Sequence, residues 1–268
     1  MTVGRERMTR NETTASPVEL WLVDLARAST ALECLERQTP RLGRRDRARI
    51  EARKDAEVRQ QRLAAHVALR ILCERALGRA VRGLNLERPN GGKPRLNPSL
   101  GQLDFSLAHA EGAALIGITR GRAIGVDLED VRPVRIAGDR RRRILAAGTA
   151  LNAAILNARS EEEAFVRAWV CLEALAKAAG AGLARTLAAL GLRQATAGDS
   201  SDVALAVERH LSLTGLKVHD LALAPGRVAA VALERALAMP PLNTFPVAAA
   251  DIEAFLRTAE PQGSRGAR

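Results

Sequence analysis

Six residues in four short stretches of this chain have the side chains and spacing for phosphate and metal chemistry. In Ile124-Gly125-Val126-Asp127-Leu128-Glu129 the apolar residues alternate with acids, so as a strand it turns Ile124, Val126 and Leu128 to one face and Asp127 and Glu129 to the other. Two carboxylates on one face are costly unless a cation or water neutralises them. The alternative is an edge strand with a solvated acidic face. Further along, Phe165, Trp169, Glu173 and Lys177 lie four apart and share one helical stripe. That stripe is either an aromatic core contact grading into an exposed Glu-Lys pair, or the source of a third carboxylate for Mg²⁺, an ion that takes oxygen ligands and shares them with substrate phosphates. His109 ends a strand just before the acidic one. Gly91-Gly92-Lys93-Pro94 is a tight turn holding a lysine, with neither P-loop nor dinucleotide-fingerprint spacing.

The elements that must position these residues follow from periodicity and punctuation. A strand is expected over Val18 to Leu25, and a long basic helical region from about Arg44 to Leu77, closed by Gly78. Beyond the Gly/Pro/Asn-rich stretch from Pro89 to Pro98, short strands are predicted at Phe105 to His109, Ala113 to Thr119 and Ala123 to Glu129, the last two as a hairpin. Arg140 to Arg143 opens another helical stretch. Ser160 and Glu163 form a capping box for a helix from Glu161 to about Ala179, stopped by Gly180 and Gly182. Strands are predicted at Leu190 to Gln194, Val203 to Glu208, Gly215 to Leu223 and Arg227 to Glu234. A strand-helix-strands order thus occurs twice, and an α+β fold of two similar halves is expected. The domain reading is a flexible tail over 1–17, an N-terminal half over 18–121, a C-terminal half carrying the metal site over 122–238, and a flexible tail over 239–268.

Composition narrows the partners. The 268 residues carry a formal net charge of +11, which favours anionic partners: nucleic acid, a phosphorylated small molecule or an acidic protein. Aromatics are 2% of the chain and tyrosine is absent, which leaves few stacking platforms for single-stranded nucleic acid. Of the 41 basic residues only Lys54, Lys93, Lys177 and Lys217 are lysine, and an ammonium is not interchangeable with a guanidinium at phosphates. No apolar run reaches the ~18 residues of a membrane span, so no membrane role is expected. The three scattered cysteines form no disulfide framework, and with a charged N-terminus lacking an apolar core they point to the cytoplasm.

Taken in order, Gly-Lys-Pro at 92–94, Phe-Ser-Leu-Ala-His at 105–109, Gly-Val-Asp-Leu-Glu at 125–129 and the Phe165, Trp169, Glu173, Lys177, Gly180 series resemble the 4'-phosphopantetheinyl transferases, most closely the larger single-chain Sfp type. The resemblance implies a pseudo-dimer of two α/β halves with coenzyme A bound between them. It implies that Asp127, Glu129 and Glu173 hold Mg²⁺ and that Lys93, Pro94, His109, Lys177 and a helix arginine, Arg62, bind the coenzyme. The implied reaction transfers the phosphopantetheine arm to a serine of an acidic apo acyl or peptidyl carrier protein, releasing adenosine 3',5'-bisphosphate. In it Glu173 accepts the serine proton and Lys177 steadies the leaving group. A monomer is expected, with nucleic acid disfavoured as a partner. The chain departs from the family pattern at Ser106, Ala108 and Leu172, the last replacing a lysine that commonly precedes the helix glutamate. Two rivals are a nucleic-acid-binding protein using the Arg41 to Arg70 region and the Arg140 to Arg143 run, and a Mg²⁺-dependent phosphoesterase using the same three acids.

Overall fold

A computed structural model describes residues 18–89, 92–193 and 200–258. The tail expected over 1–17 lies outside the described residues, as does Gln194. In the described chain, strand β1 (Glu19–Asp24) leads into helix α1 (Leu25–Gln38), followed by α2 (Arg44–Glu51) and α3 (Ala56–Leu77). Strands β2 (Leu103–Ala110), β3 (Ala113–Arg120) and β4 (Ile124–Asp130) come next, then helices α4 (Gly138–Leu151), α5 (Glu161–Ala179), α6 (Leu183–Ala189) and α7 (Ser200–Thr214). The chain continues through β5 (Leu216–Leu221), β6 (Arg227–Glu234), β7 (Leu242–Thr244) and α8 (Ala249–Arg257).

The fold is α+β and repeats one topology. In the first sheet, of order β2-β3-β1-β7, β1 pairs antiparallel with β3, the second strand of the β2–β3 hairpin. In the second, of order β4-β6-β5, β4 pairs antiparallel with β6, the second strand of the β5–β6 hairpin. Each half is therefore a strand, a set of helices and a returning hairpin. Helices cover the outer face of each sheet, and the inner faces meet. Leu20 and Leu115 of the first sheet pack there against Ile124, Val126, Leu128, Val231 and Leu233 of the second, each no more than 1% exposed. Gly117 makes this close approach possible, since a Cβ there would press into the side chains of Ile124 and Val126.

Several expectations are corrected. The predicted β3–β4 hairpin is absent: β1 and β2 already occupy both edges of β3, so β4 crosses to the facing sheet and pairs with β6. The basic region from Arg44 to Leu77 is two helices, with Asp55 capping the second through the Val58 N–H, and α1 precedes them. Val203 to Glu208 is helical, inside α7. Val203 and Val207 are buried while Leu205 is 63% exposed, the pattern of a period near 3.6 and not of strand alternation. Leu190 to Arg193 is the turn after α6, where Gly191 adopts φ +70° between buried Leu190 and Leu192.

The tail expected over 239–268 is also corrected for its described part. Strand β7 adds parallel to β1, and α8 packs Ile252 into the first core while Phe255 meets Trp21 and Phe245 edge-on at 5.0 and 5.8 Å. The Arg75 guanidinium lies 4.1 Å from the Phe255 ring centroid. The first half is thus completed by the end of the described chain.

Candidate active site

Helix α5 fixes the first set of groups. Its start is the capping box read from sequence: Ser160 Oγ accepts from the Glu163 N–H at 3.1 Å, and Glu163 accepts in return from the Arg159 N–H. Its end is Gly180, whose φ of +67° is the left-handed cap that glycine supplies without strain. The helix lies directly on β4. At Gly125 any side chain would overlap the Ala174 carbonyl and the Ala178 N–H. That contact brings Glu173 and Lys177, flanking Ala174 by one and three residues, beside the face of β4 that carries Asp127.

Lys177 Nζ donates to Asp127 Oδ1 at 2.6 Å and to the Val126 carbonyl at 3.1 Å. Asp127 is 3% exposed, and its Oδ2 is a buried oxygen with no hydrogen-bond partner. Burial pushes this carboxyl up to about 7; Lys177 opposes the rise, and Glu173 and Glu129 add to it. Glu129 is turned to Arg132, 2.8 Å away. Among the described residues no group of three or more His, Cys, Asp or Glu side chains stands already arranged to hold a metal ion. Asp127, Glu129 and Glu173 nonetheless line one cavity. An all-carboxylate donor set with an unpartnered buried oxygen suits a hard cation.

The cavity, of about 460 Å³, opens where the two halves meet and takes residues from α3, β2, β4, α5 and the segments after α3 and α5. Every residue that the resemblance assigns to metal or coenzyme lines it: Arg62, Lys93, Pro94, His109, Asp127, Glu129, Glu173 and Lys177. Arg62 Nε is buried without a partner, and burial together with nearby Arg53 lowers the guanidinium's pKa. Desolvation, aided by Arg62, lowers His109 as well, which favours a neutral ring at neutral pH. Lys93 is tied down: its ammonium donates to Asp104 Oδ2 and to the Ile124 carbonyl, both at 2.6 Å. Desolvation holds its pKa below the usual lysine value although Asp104 pulls the other way.

Both lysines therefore serve the free edge of β4. The same edge donates its Ile124 N–H to Asp104 and its Val126 N–H to Ser106 Oγ, at 3.1 and 3.0 Å. Side chains thus satisfy an edge left without a partner strand, and Ser106 spends its hydroxyl here. Leu172 is 0% exposed in the second-half core and does not reach the cavity.

Two titratable lining residues escaped the sequence reading. His66 sits one turn after Arg62 on α3, a spacing that could have flagged it. Arg88 lies in an irregular segment and carries no such signal. Three arginines of the Arg41 to Arg70 region are engaged within the protein. Arg41 pairs with Glu74 at 2.9 Å, Arg47 with Glu36 at 2.5 Å and Arg70 with Asp46 at 3.1 Å. A second cavity, of about 310 Å³, shares Glu129 with the first and has Ile144, Phe165, Val166 and Trp169 on its walls among Arg132, Arg135 and Arg140.

A two-fold-repeated α+β chain with acids and cations gathered at the seam of its halves is the architecture expected for phosphopantetheinyl transfer, and residues 123–232 match the family model of the 4'-phosphopantetheinyl transferase superfamily. Over that stretch the chain is similar to this superfamily of transferases. Among curated proteins it is similar to the 4'-phosphopantetheinyl transferase HetI of Nostoc sp., with 28% identity over 170 residues, or 63% of this chain and 70% of HetI. The family match runs from β4 to β6 and so contains Asp127, Glu129, Glu173 and Lys177. Arg62, Lys93 and His109 lie outside it and join the site through the fold.

Proposed function

We propose that this protein transfers the 4'-phosphopantetheine arm of coenzyme A to a serine of an acidic apo carrier protein, in a Mg²⁺-dependent reaction that releases adenosine 3',5'-bisphosphate. The convergence of Arg62, Lys93, His109, Asp127, Glu129, Glu173 and Lys177 on one cavity, from both halves, carries this reading. Asp127, Glu129 and Glu173 would hold the Mg²⁺, which when bound offsets the charge of the coenzyme's pyrophosphate. Arg62 offers an unsatisfied buried donor to a phosphate oxygen, and neutral His109 offers a ring N–H. Because Lys93 is held by Asp104 and Ile124, its support for the coenzyme comes through the position of its turn as well as its charge.

Attack of a hydroxyl on the β-phosphorus is helped mainly by positioning and charge neutralisation. Glu173 accepts the proton of the incoming serine; with Leu172 buried, no neighbouring lysine tunes it from that position. Lys177, one turn further along α5, faces the charge that develops on the departing bisphosphate. The second cavity adjoins Glu129, and its apolar walls suit the uncharged pantetheine arm while its arginine rim faces an acidic carrier. Since one chain supplies both halves of the site, it acts as a monomer.

Incubating the purified protein with coenzyme A, Mg²⁺ and an apo carrier protein should add a phosphopantetheine mass to the carrier, read by mass spectrometry. Glu173→Gln should reduce the rate by about 10²–10⁴-fold, the range for removal of a general base. Absence of the adduct across several unrelated carriers, or hydrolysis of coenzyme A without any carrier, would overturn the assignment.

A further inference from the structure

Beneath the basic wall of the cavity lies a buried ion pair with no part in the chemistry above. Asp46 of α2 and Arg70 of α3 are 4% and 2% exposed. Asp46 Oδ2 accepts from Arg70 Nη2 at 3.1 Å and from the backbone N–H of Leu86 at 3.2 Å. The same Arg70 nitrogen donates to the Leu84 carbonyl. Between these two points, Asn85 Oδ1 accepts from the Arg45 N–H at 2.8 Å, and Gly43 sits so close to Asn85 that a Cβ there would clash with its backbone. Residues 84, 85 and 86 are each held from the α2–α3 side.

What these residues hold is the entry to the coenzyme wall. Glu87 and Arg95 exchange two backbone hydrogen bonds of 2.9 Å each, closing a loop whose members Arg88, Lys93 and Pro94 line the cavity. No helix or regular strand fixes residues 84–86, so their geometry depends on the directional groups of the pair. Apolar residues of similar volume often stabilise a core as well as a buried ion pair does. What they lack is a donor and an acceptor aimed at a chosen backbone. A carboxylate so near an anion site is tolerable because Arg70 neutralises it, with Arg49 a further 3.8 Å contact.

We propose that the Asp46–Arg70 pair positions residues 84–88 so that Arg88 meets the phosphates of coenzyme A, and that it sets affinity for the coenzyme without entering the reaction. Asp46 and Arg70 are positioning residues, and Arg88 is the group that touches the ligand. The inference rests on the coenzyme reading given above.

A double-mutant cycle tests it, with the Kd for coenzyme A measured by calorimetry in the presence of Mg²⁺ and transfer kinetics measured in parallel. Asp46→Asn and Arg88→Ala should each raise Kd and KM by about tenfold, the effect of losing one charged hydrogen bond, with kcat kept within about twofold. The double variant should be no weaker than Arg88→Ala alone. An irreversibly unfolded fraction lowers kcat and the number of binding sites without raising Kd, and a reversible one raises Kd only by the reciprocal of the folded fraction, which a melt measures. The exposed Asn85→Ala variant supplies a second cycle that spares the buried pair, with a smaller rise that also vanishes in the Arg88→Ala background. Additive effects, or an Asp46→Asn variant that loses kcat at unchanged Kd, would overturn the positioning role. A wild-type protein that binds coenzyme A and shows the coupled cycle but modifies no carrier would overturn the transfer reaction and leave the positioning role standing.

Discussion

At the scale of single residues, burial decides what each ionisable group can do in this site. Asp127 and Lys93 are both enclosed, and each is shifted toward its neutral form by the loss of water around it. His66 is a sharper case. It keeps a narrow contact with the cavity but is otherwise enclosed, and desolvation lowers its pKa from 6.5 to about 4; nearby His109, Arg62 and Arg88 reinforce the shift and Asp46 opposes it. The folded protein therefore holds His66 neutral where the unfolded chain would protonate it. This contribution is complete above about pH 6.5 and is lost as pH falls through about 4. Discounted for the ring's residual solvent contact, it amounts to about 2 kcal/mol. The difference in urea-unfolding free energy between wild type and His66→Gln should shift by that amount in favour of the variant between pH 7 and 4; equal pH profiles for the two would refute it. The three acids and Lys177 were legible because strand alternation and helical spacing align them. Arg88 was not, because an irregular segment has no period from which a side chain's direction can be read.

At the scale of elements, the β4–α5 contact assembles the site. The alternation that put Asp127 and Glu129 opposite Ile124, Val126 and Leu128 holds, and so do the cap at Ser160 and the stop at Gly180. These are local features, settled within a few residues. The pairing of β4 was misread because strands adjacent in sequence with a tight turn between them favour a hairpin; only the prior occupation of both edges of β3 sends β4 elsewhere. Gly125 then permits the helix to lie on the strand. Gly125→Ala should cost about 3 kcal/mol, at the upper end for forcing a methyl into a packed contact, measured by denaturant unfolding. Transfer activity should fall with it, since Glu173 and Lys177 would be lifted away from Asp127. A variant as stable and active as wild type would show that the contact is looser than described.

At the scale of the whole molecule, two copies of one topology face each other, and the cavity exists only where they meet. The first copy is finished by β7 and α8, more than a hundred residues beyond β3, its last strand before the second half begins. Ile252 is 0% exposed in the first core, so Ile252→Ala should lower unfolding free energy by about 3 kcal/mol, a usual cost for such a truncation, while KM for coenzyme A at 20 °C remains that of wild type. A thermal melt unchanged by the substitution would return the segment to the status of a tail. The sequence reading took it for one because its prolines and small size resemble a frayed end, and nothing local shows that a distant edge of β1 is waiting for a strand.

From its sequence alone, this chain determined which acidic and basic residues are candidates for the chemistry, on what kind of element each sits, where α5 begins and ends, and that the fold is built twice. Those properties arise from side-chain type and from periods of two and 3.6, which act over a few neighbours. Tertiary structure decided which strand β4 joins, that Lys93 and Lys177 are bound to its open edge, and that Asp46 and Arg70 reach the loop bearing Arg88. These contacts join residues far apart in the chain, and they are selected by which hydrogen-bonding edges and buried charges remain unsatisfied once the rest has packed.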